Sequence, residues 1–200
     1  MQGKLSLFVA GLLMSGSAMA AQGDWLIRGR VIDVAPDVST SGALSTLNVD
    51  VDNKAAPELD FTYMLTDKLG AELILGTARH TVTAGGASLG KVSHLPPTLT
   101  LQYHFAPDTN IRPYVGAGIN YTRFYNVDLH AGAVPLDVDK NSFGGALQAG
   151  VDIAVNKDWF VNLDVKKLYI KTDVNVRGGA SLGTLKINPV VWGVGVGTHF

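Results

Sequence analysis

Two hundred residues suffice for one domain. Only 16% are charged, against roughly 25% in soluble domains, 23 are glycine and none is cysteine, which excludes a disulfide framework, a thiol nucleophile and a thiolate metal site. The 16 basic and 17 acidic side chains leave a formal net charge of −1 with no basic patch, which argues against nucleic acid as a partner.

The first segment, MQGKLSLFVAGLLMSGSAMA, reads as a secretory signal. Lys4 supplies the positive start, residues 5–14 the apolar run, and Ala18-Met19-Ala20 the small-residue cleavage pattern. The expectation is cleavage after Ala20, leaving 21–200 as a single domain. Removing 1–20 takes away Lys4 and no acid, so 15 basic residues face 17 acidic ones and the net charge becomes −2. Beyond this point no run approaches the 18 or more apolar residues of a membrane helix.

The mature chain alternates instead, so successive side chains leave opposite faces of a strand. In 25–34, Trp25, Ile27, Gly29 and Val31 oppose Leu26, Arg28 and Arg30. Residues 35–57 are polar with two prolines and read as a loop. In 58–66, Leu59, Phe61 and Tyr63 oppose Glu58, Asp60 and Thr62, and after a turn at 66–68 the strand 69–78 sets Leu73 and Leu75 against Glu72 and Ile74. Residues 79–93 read as a second loop. In 99–105, Leu99, Leu101, Tyr103 and Phe105 oppose Thr100, Gln102 and His104, and in 112–124, Val115, Ala117, Ile119 and Tyr121 oppose Gly116, Gly118, Asn120 and Thr122. A third loop, 125–141, precedes strand 142–155, where Leu147 and Val151 oppose Gln148 and Asp152. The turn 156–158 leads to 159–169, with Trp159, Val161 and Leu163 against Asn162, Asp164 and Lys166. A Gly-rich loop, 171–184, precedes the last strand, in which Trp192, Val194, Val196 and Phe200 alternate with Gly193, Gly195, Gly197 and His199.

Eight strands thus joined by alternating long and short connections predict an all-β fold: an eight-stranded antiparallel transmembrane β-barrel with long extracellular loops and short periplasmic turns. A soluble sandwich has no reason to sort its loops by length. In the barrel the apolar faces meet lipid. Arg28, Arg30, Glu72, Gln102, Gln148, Asp152, Asp164 and Lys166, with Glu58 and Asp60, are enclosed and must pair. Trp25, Phe105, Trp159 and Phe200 on the periplasmic side, and Phe124, Phe143 and Tyr169 on the other, are candidates for interfacial girdles. The terminal Phe200 on a final strand resembles the signal read by the barrel assembly machinery.

No catalytic set stands out. The five histidines are scattered, with His80, His94 and His130 in predicted loops and His104 and His199 near periplasmic strand ends. Asp50, Asp52 and Asn53, or Asp137 and Asp139, lack the compact spacing of a calcium loop, and no metal or cofactor is expected.

The segments HLPPTL, LQYHF, RPYVGAGINYT, FTYMLTDKLGAELIL and NKDW before VNLDV resemble the OmpW family of small outer-membrane proteins, in consistent order along the mature chain. The resemblance implies a narrow, partly hydrophobic lumen that passes small hydrophobic molecules, with sideways release through the wall. It also carries a hydrophobic constriction onto Ile74 and Lys166, where the lysine replaces a large aromatic. The functional expectation is a small outer-membrane channel for passive passage of hydrophobic or amphipathic molecules. Leu44, Leu47, Val49 and Val134 are expected in an outer vestibule, and Pro96 and Pro97 mark a lateral opening. The alternatives are a closed structural or receptor barrel whose loops bind partners and, third, a lipid-modifying barrel enzyme. Expected partners are outer-membrane lipid and lipopolysaccharide, small hydrophobic solutes and the assembly machinery.

Overall fold

The computed structural model describes residues 21–200; the signal segment expected at 1–20 lies outside the described residues. The elements in chain order are β1 (Trp25–Ala35), β2 (Ser39–Thr40), a 3-10 turn (Gly42–Thr46), β3 (Val49–Val51), β4 (Lys54–Met64), β5 (Leu69–Gly76), β6 (Ala78–Ala84) and β7 (Ala87–Leu95). They continue with β8 (Thr98–His104), β9 (Ile111–Ala131), β10 (Val134–Val138), β11 (Asn141–Ala154), β12 (Trp159–Leu168), β13 (Lys171–Val176), β14 (Ser181–Lys186) and β15 (Val190–His199).

Eight of these close on themselves in the order β1, β4, β5, β8, β9, β11, β12, β15, every neighbouring pair antiparallel. Closure removes the free edges that an open sheet leaves exposed in lipid. The chain ends join the same ladder, with mutual backbone bonds between Trp25 and Phe200 of 2.9 and 3.0 Å. Along each wall the alternation runs as the sequence implies: Val31, Leu99, Leu101, Ile119, Leu147 and Val194 are exposed, while Arg28, Asp60, Glu72, Gln102 and Asn162 are buried. Glycine suits the inner wall where strands crowd. A Cβ on Gly118 would stand 1.9 Å from the Leu99 carbonyl oxygen.

The loops differ from expectation. Residues 79–93 form the hairpin β6–β7, turned at Gly85-Gly86 with φ of +55° and +82°, the pair of positive values that a type I′ turn needs. Residues 125–141 continue β9 to Ala131 and add β10, and 171–184 holds most of the hairpin β13–β14. Within 35–57 lie β2, β3 and the start of β4. The barrel therefore extends outward as a second, irregular ring, in which β7 and β10 pair with β9, β13 with β10, and β14 with β2. His80, on β6, and His94, on β7, are buried strand residues, not solvated loop residues.

The girdles need one correction. Phe124 is buried and faces inward; Tyr121 takes its place beside Phe143 at 4.8 Å, with Tyr169 also exposed. On the periplasmic side Trp25 packs on Tyr63 and Tyr103 on Phe105, each at 5.1 Å.

Candidate functional site

The lumen is layered. At the periplasmic end Leu26, Met64 and Phe160 form a small buried apolar cluster, with the Arg112 guanidinium 5.3 Å over the Phe160 ring. Above it lies a dense ionic layer. Arg28, on β1, grips Asp152 of β11 through Nε (3.1 Å) and Nη2 (2.7 Å), and its Nη1 reaches Thr62 at 2.7 Å and Glu72 at 3.3 Å. Two residues on, Arg30 donates to Asn162 at 2.6 Å and Glu58 at 3.0 Å, and its Nη1 lies 2.6 Å from Asp60. That last is a charge contact without hydrogen-bond alignment, since neither Asp60 oxygen has a hydrogen-bond partner among the described residues. Lys166 places Nζ 2.7 Å from both Glu58 and Asp164. Gln102 donates to Glu72 (2.7 Å) and Gln148 donates to Asp164 (2.9 Å), so every enclosed residue named from the sequence is tied into one network.

The sequence reading missed the hub of this network. Tyr114 is buried on the inner face of β9; its hydroxyl donates to Asp164 at 2.7 Å and accepts from Arg30 at 3.2 Å and Asn162 at 3.0 Å. Its parity with Gly116 and Gly118 was the available signal. Side chains fill this level, as in other eight-stranded barrels.

Above the ions an apolar collar of Ile32, Ala56, Leu168 and Val191, with Ile74 beside it, leads into a vestibule of about 210 Å³. Leu44, Leu47 and Val49 line it, together with Phe124, Leu136 and Val138. Val134 does not; it is exposed, and Leu136 and Val138 on the same strand take the inward positions. Ile74 and Lys166 both border a side chamber of about 20 Å³, which the collar residues Ile32, Ala56, Leu168 and Val191 also line, room for about one water.

Pro96, with Gly76, Thr77 and Ala78, borders the same chamber. Toward β9 the wall is continuous past the prolines, because the Pro97 carbonyl accepts from Tyr121 N at 3.0 Å. On the other side, the β5–β8 ladder ends at Ile74–Thr98 and the β6–β7 ladder begins at Ala78–His94. Residues 54–57 of β4 run past the last β4–β5 pair, Glu58–Gly76, without a ladder partner on that side. A seam thus crosses the wall at 75–77 and 95–97, with both prolines on it.

A match to a family model covers the whole described chain: residues 21–200 fit the OmpW family. The chain belongs to that family. Among relatives, it is 44% identical over 184 residues to the outer-membrane protein y4mB of Sinorhizobium fredii, covering 88% of this chain and 80% of that one. It is 31% identical over 199 residues to the dibenzothiophene metabolism operon protein PahQ of Pseudomonas aeruginosa, covering 94% and 93%. Among solved structures, the outer membrane protein OprG of Pseudomonas aeruginosa superposes with a TM-score of 0.78 at 29% identity, covering 92% of this chain and 98% of that one. The protein is an outer-membrane β-barrel.

In this OmpW-family barrel the vestibule wall, outward of the Tyr121–Phe143 girdle, carries two buried histidines. His80 Nε2 lies 3.1 Å from His94 Nε2. Burial lowers His80, and burial with the neighbouring His80 pushes His94 down to about 3. Because the folded values lie below 6.5, protons favour the opened wall. The wall is at full stability above pH 6.5 and weakens as pH falls toward 3, by up to about 1.4 kcal/mol per pH unit from His94, with His80 adding in the same direction. Hydrogen-exchange protection of Val82 and Val92 amides is expected to fall between pH 7 and pH 4, and His94→Phe to flatten that fall. Protection independent of pH in the wild type would show the pair to be uncoupled from wall stability.

Proposed function

We propose that the protein is a passive, non-enzymatic conduit that takes small hydrophobic or amphipathic molecules into the vestibule and releases them sideways through the seam into the membrane. One observation carries this reading: an apolar chamber in the outer ring sits above a salt-bridged layer, with only the apolar collar between them. An apolar solute descending through that layer would have to displace buried charges from their partners, a cost of several kcal/mol per ion. The seam has no ladder hydrogen bonds to break, only the Thr77 hydroxyl donating to the His94 carbonyl at 3.0 Å, so it is the cheaper way out. The relative named for dibenzothiophene metabolism supports a hydrophobic cargo. Ile74 and Lys166 act, in this reading, as the chamber's floor, and the lower lumen stays shut.

The filled lower lumen also fits a closed barrel that works through its outer ring, and transport separates the two. Cells lacking the protein are expected to take up a fluorescent polycyclic hydrocarbon several-fold more slowly than cells expressing it. Equal uptake overturns the conduit and leaves the closed barrel. Outer-membrane lipid and lipopolysaccharide around the apolar wall, and the assembly machinery at the strand ending in Phe200, complete the proposed partners.

A further inference from the structure

Of the residues lining the vestibule, only His80, His94 and Thr172 carry polar side-chain atoms. The Thr172 hydroxyl donates to the Asp139 carbonyl at 2.9 Å. The histidines form a chain whose proton positions follow from one fixed end. His80 Nδ1 lies 2.7 Å from the backbone carbonyl oxygen of Asp52, which can only accept. Nδ1 therefore carries the proton, and Nε2 of the neutral ring is an acceptor. His94 Nε2, facing it at 3.1 Å, must donate, which leaves a bare acceptor at His94 Nδ1.

That atom is buried and has no hydrogen-bond partner among the described residues. Buried polar atoms are ordinarily satisfied, so an orphan on a ring that lines a cavity asks for a donor from whatever fills that cavity. The ring stands between the two spaces, lining both the vestibule and the side chamber behind the seam. A metal does not account for the pair. Among the described residues no group of three His, Cys, Asp or Glu is placed to hold one.

We propose that His94 Nδ1 accepts a hydrogen bond from the hydroxyl of the solute, so that the vestibule selects hydroxylated hydrophobes such as phenols and fatty alcohols over bare hydrocarbons of the same shape. Burial keeps the ring neutral, and so an acceptor, throughout the neutral pH range. Carboxylate anions and esters bring no donor and are not favoured. This inference rests on the conduit reading, because it presumes that solutes occupy the vestibule.

The test compares 1-naphthol with 1-methylnaphthalene, which exchange a hydroxyl for a methyl on one ring system, in equilibrium binding to the full barrel in lipid nanodiscs. Dividing the wild-type affinity ratio by that of His94→Phe, and separately by that of the smaller His94→Leu, cancels partition into lipid. The expected quotient is about tenfold, equivalent to about 1.4 kcal/mol, with 1-methylnaphthalene bound undiminished by the variants. In the wild type, the 15N resonance of His94 Nδ1 should shift with 1-naphthol and not with 1-methylnaphthalene. A quotient near one with an unmoved resonance overturns this inference and leaves the conduit standing. If the wild type binds neither compound, the vestibule is not a solute site and both readings fall.

Discussion

Replacing Arg28 with leucine is expected to lower the unfolding free energy by about 3–5 kcal/mol, the effect of breaking a buried ion pair. The Arg28 guanidinium is wholly buried, is held by both oxygens of Asp152, and touches Glu72 and Thr62. Leucine leaves Asp152 with Asn162, at 2.7 Å, as its hydrogen-bond donor, and Glu72 with Gln102, Thr100 and the Arg30 guanidinium at 3.6 Å. The neighbouring cations Arg30 and Lys166 already hold acids of their own, Glu58 and Asp164 among them. The Arg28→Leu/Asp152→Leu pair is expected to recover more than half of the loss, since the second change removes the stranded carboxylate. Lys166→Met should cost less, because Glu58 keeps Arg30, and Asp164 keeps Tyr114 and Gln148. The exposed pair Lys167–Asp37, at 2.9 Å, sets the lower limit of about 1 kcal/mol or below. Urea unfolding in lipid vesicles, followed by tryptophan fluorescence, measures all four. A loss below about 1 kcal/mol in Arg28→Leu would mean that water reaches the layer, and the lumen would then be a pore.

The ionic layer could be drawn from the sequence because parity is strict inside a membrane strand. Residues Arg28, Glu72, Gln102, Gln148, Asp152, Asp164 and Lys166 all sit opposite an apolar row, and lipid on one side permits no exception. Phe124 shares its parity with Asn120 and Thr122, and by that rule belongs to the vestibule, where it lies; assigning it to the girdle sets the rule aside. Pairing partners were beyond reach for another reason: Arg28 and Asp152 are separated by 124 residues, and the contact depends on stagger around the closed barrel, which no single strand encodes.

The outer ring was illegible for a physical reason too. Its strands lie beyond the Tyr121–Phe143 girdle, outside the apolar core of the membrane, so threonine, lysine and arginine are tolerated on the outward face and the hydropathy contrast fades. The alternation is still there. Ala78, His80, Val82 and Ala84 line the inside of β6, and the Gly85-Gly86 pair announces the turn. A glycine pair between weakly alternating flanks is a hairpin signal, and read that way it would have placed both histidines on the wall.

Filling the side chamber should separate binding from release. Ala78 is buried beside His94 on the seam, and the chamber it borders has a volume of only about 20 Å³. Ala78→Phe leaves that space no room to widen, while the 210 Å³ vestibule, which Ala78 does not line, stays as it is. Overpacking costs about 1–3 kcal/mol, less than the loss expected from Arg28→Leu, so the barrel should still fold and show its heat-modifiable gel shift. The expected result is uptake of the hydrocarbon reporter reduced at least tenfold, with equilibrium binding of 1-methylnaphthalene within twofold of wild type. A pathway straight down the lumen crosses the same chamber, which Lys166 and Glu58 also line, and adds those two residues as limiting. If Lys166→Met changes uptake as much as Ala78→Phe does, the seam is only a packing irregularity, and solute crosses the ionic layer.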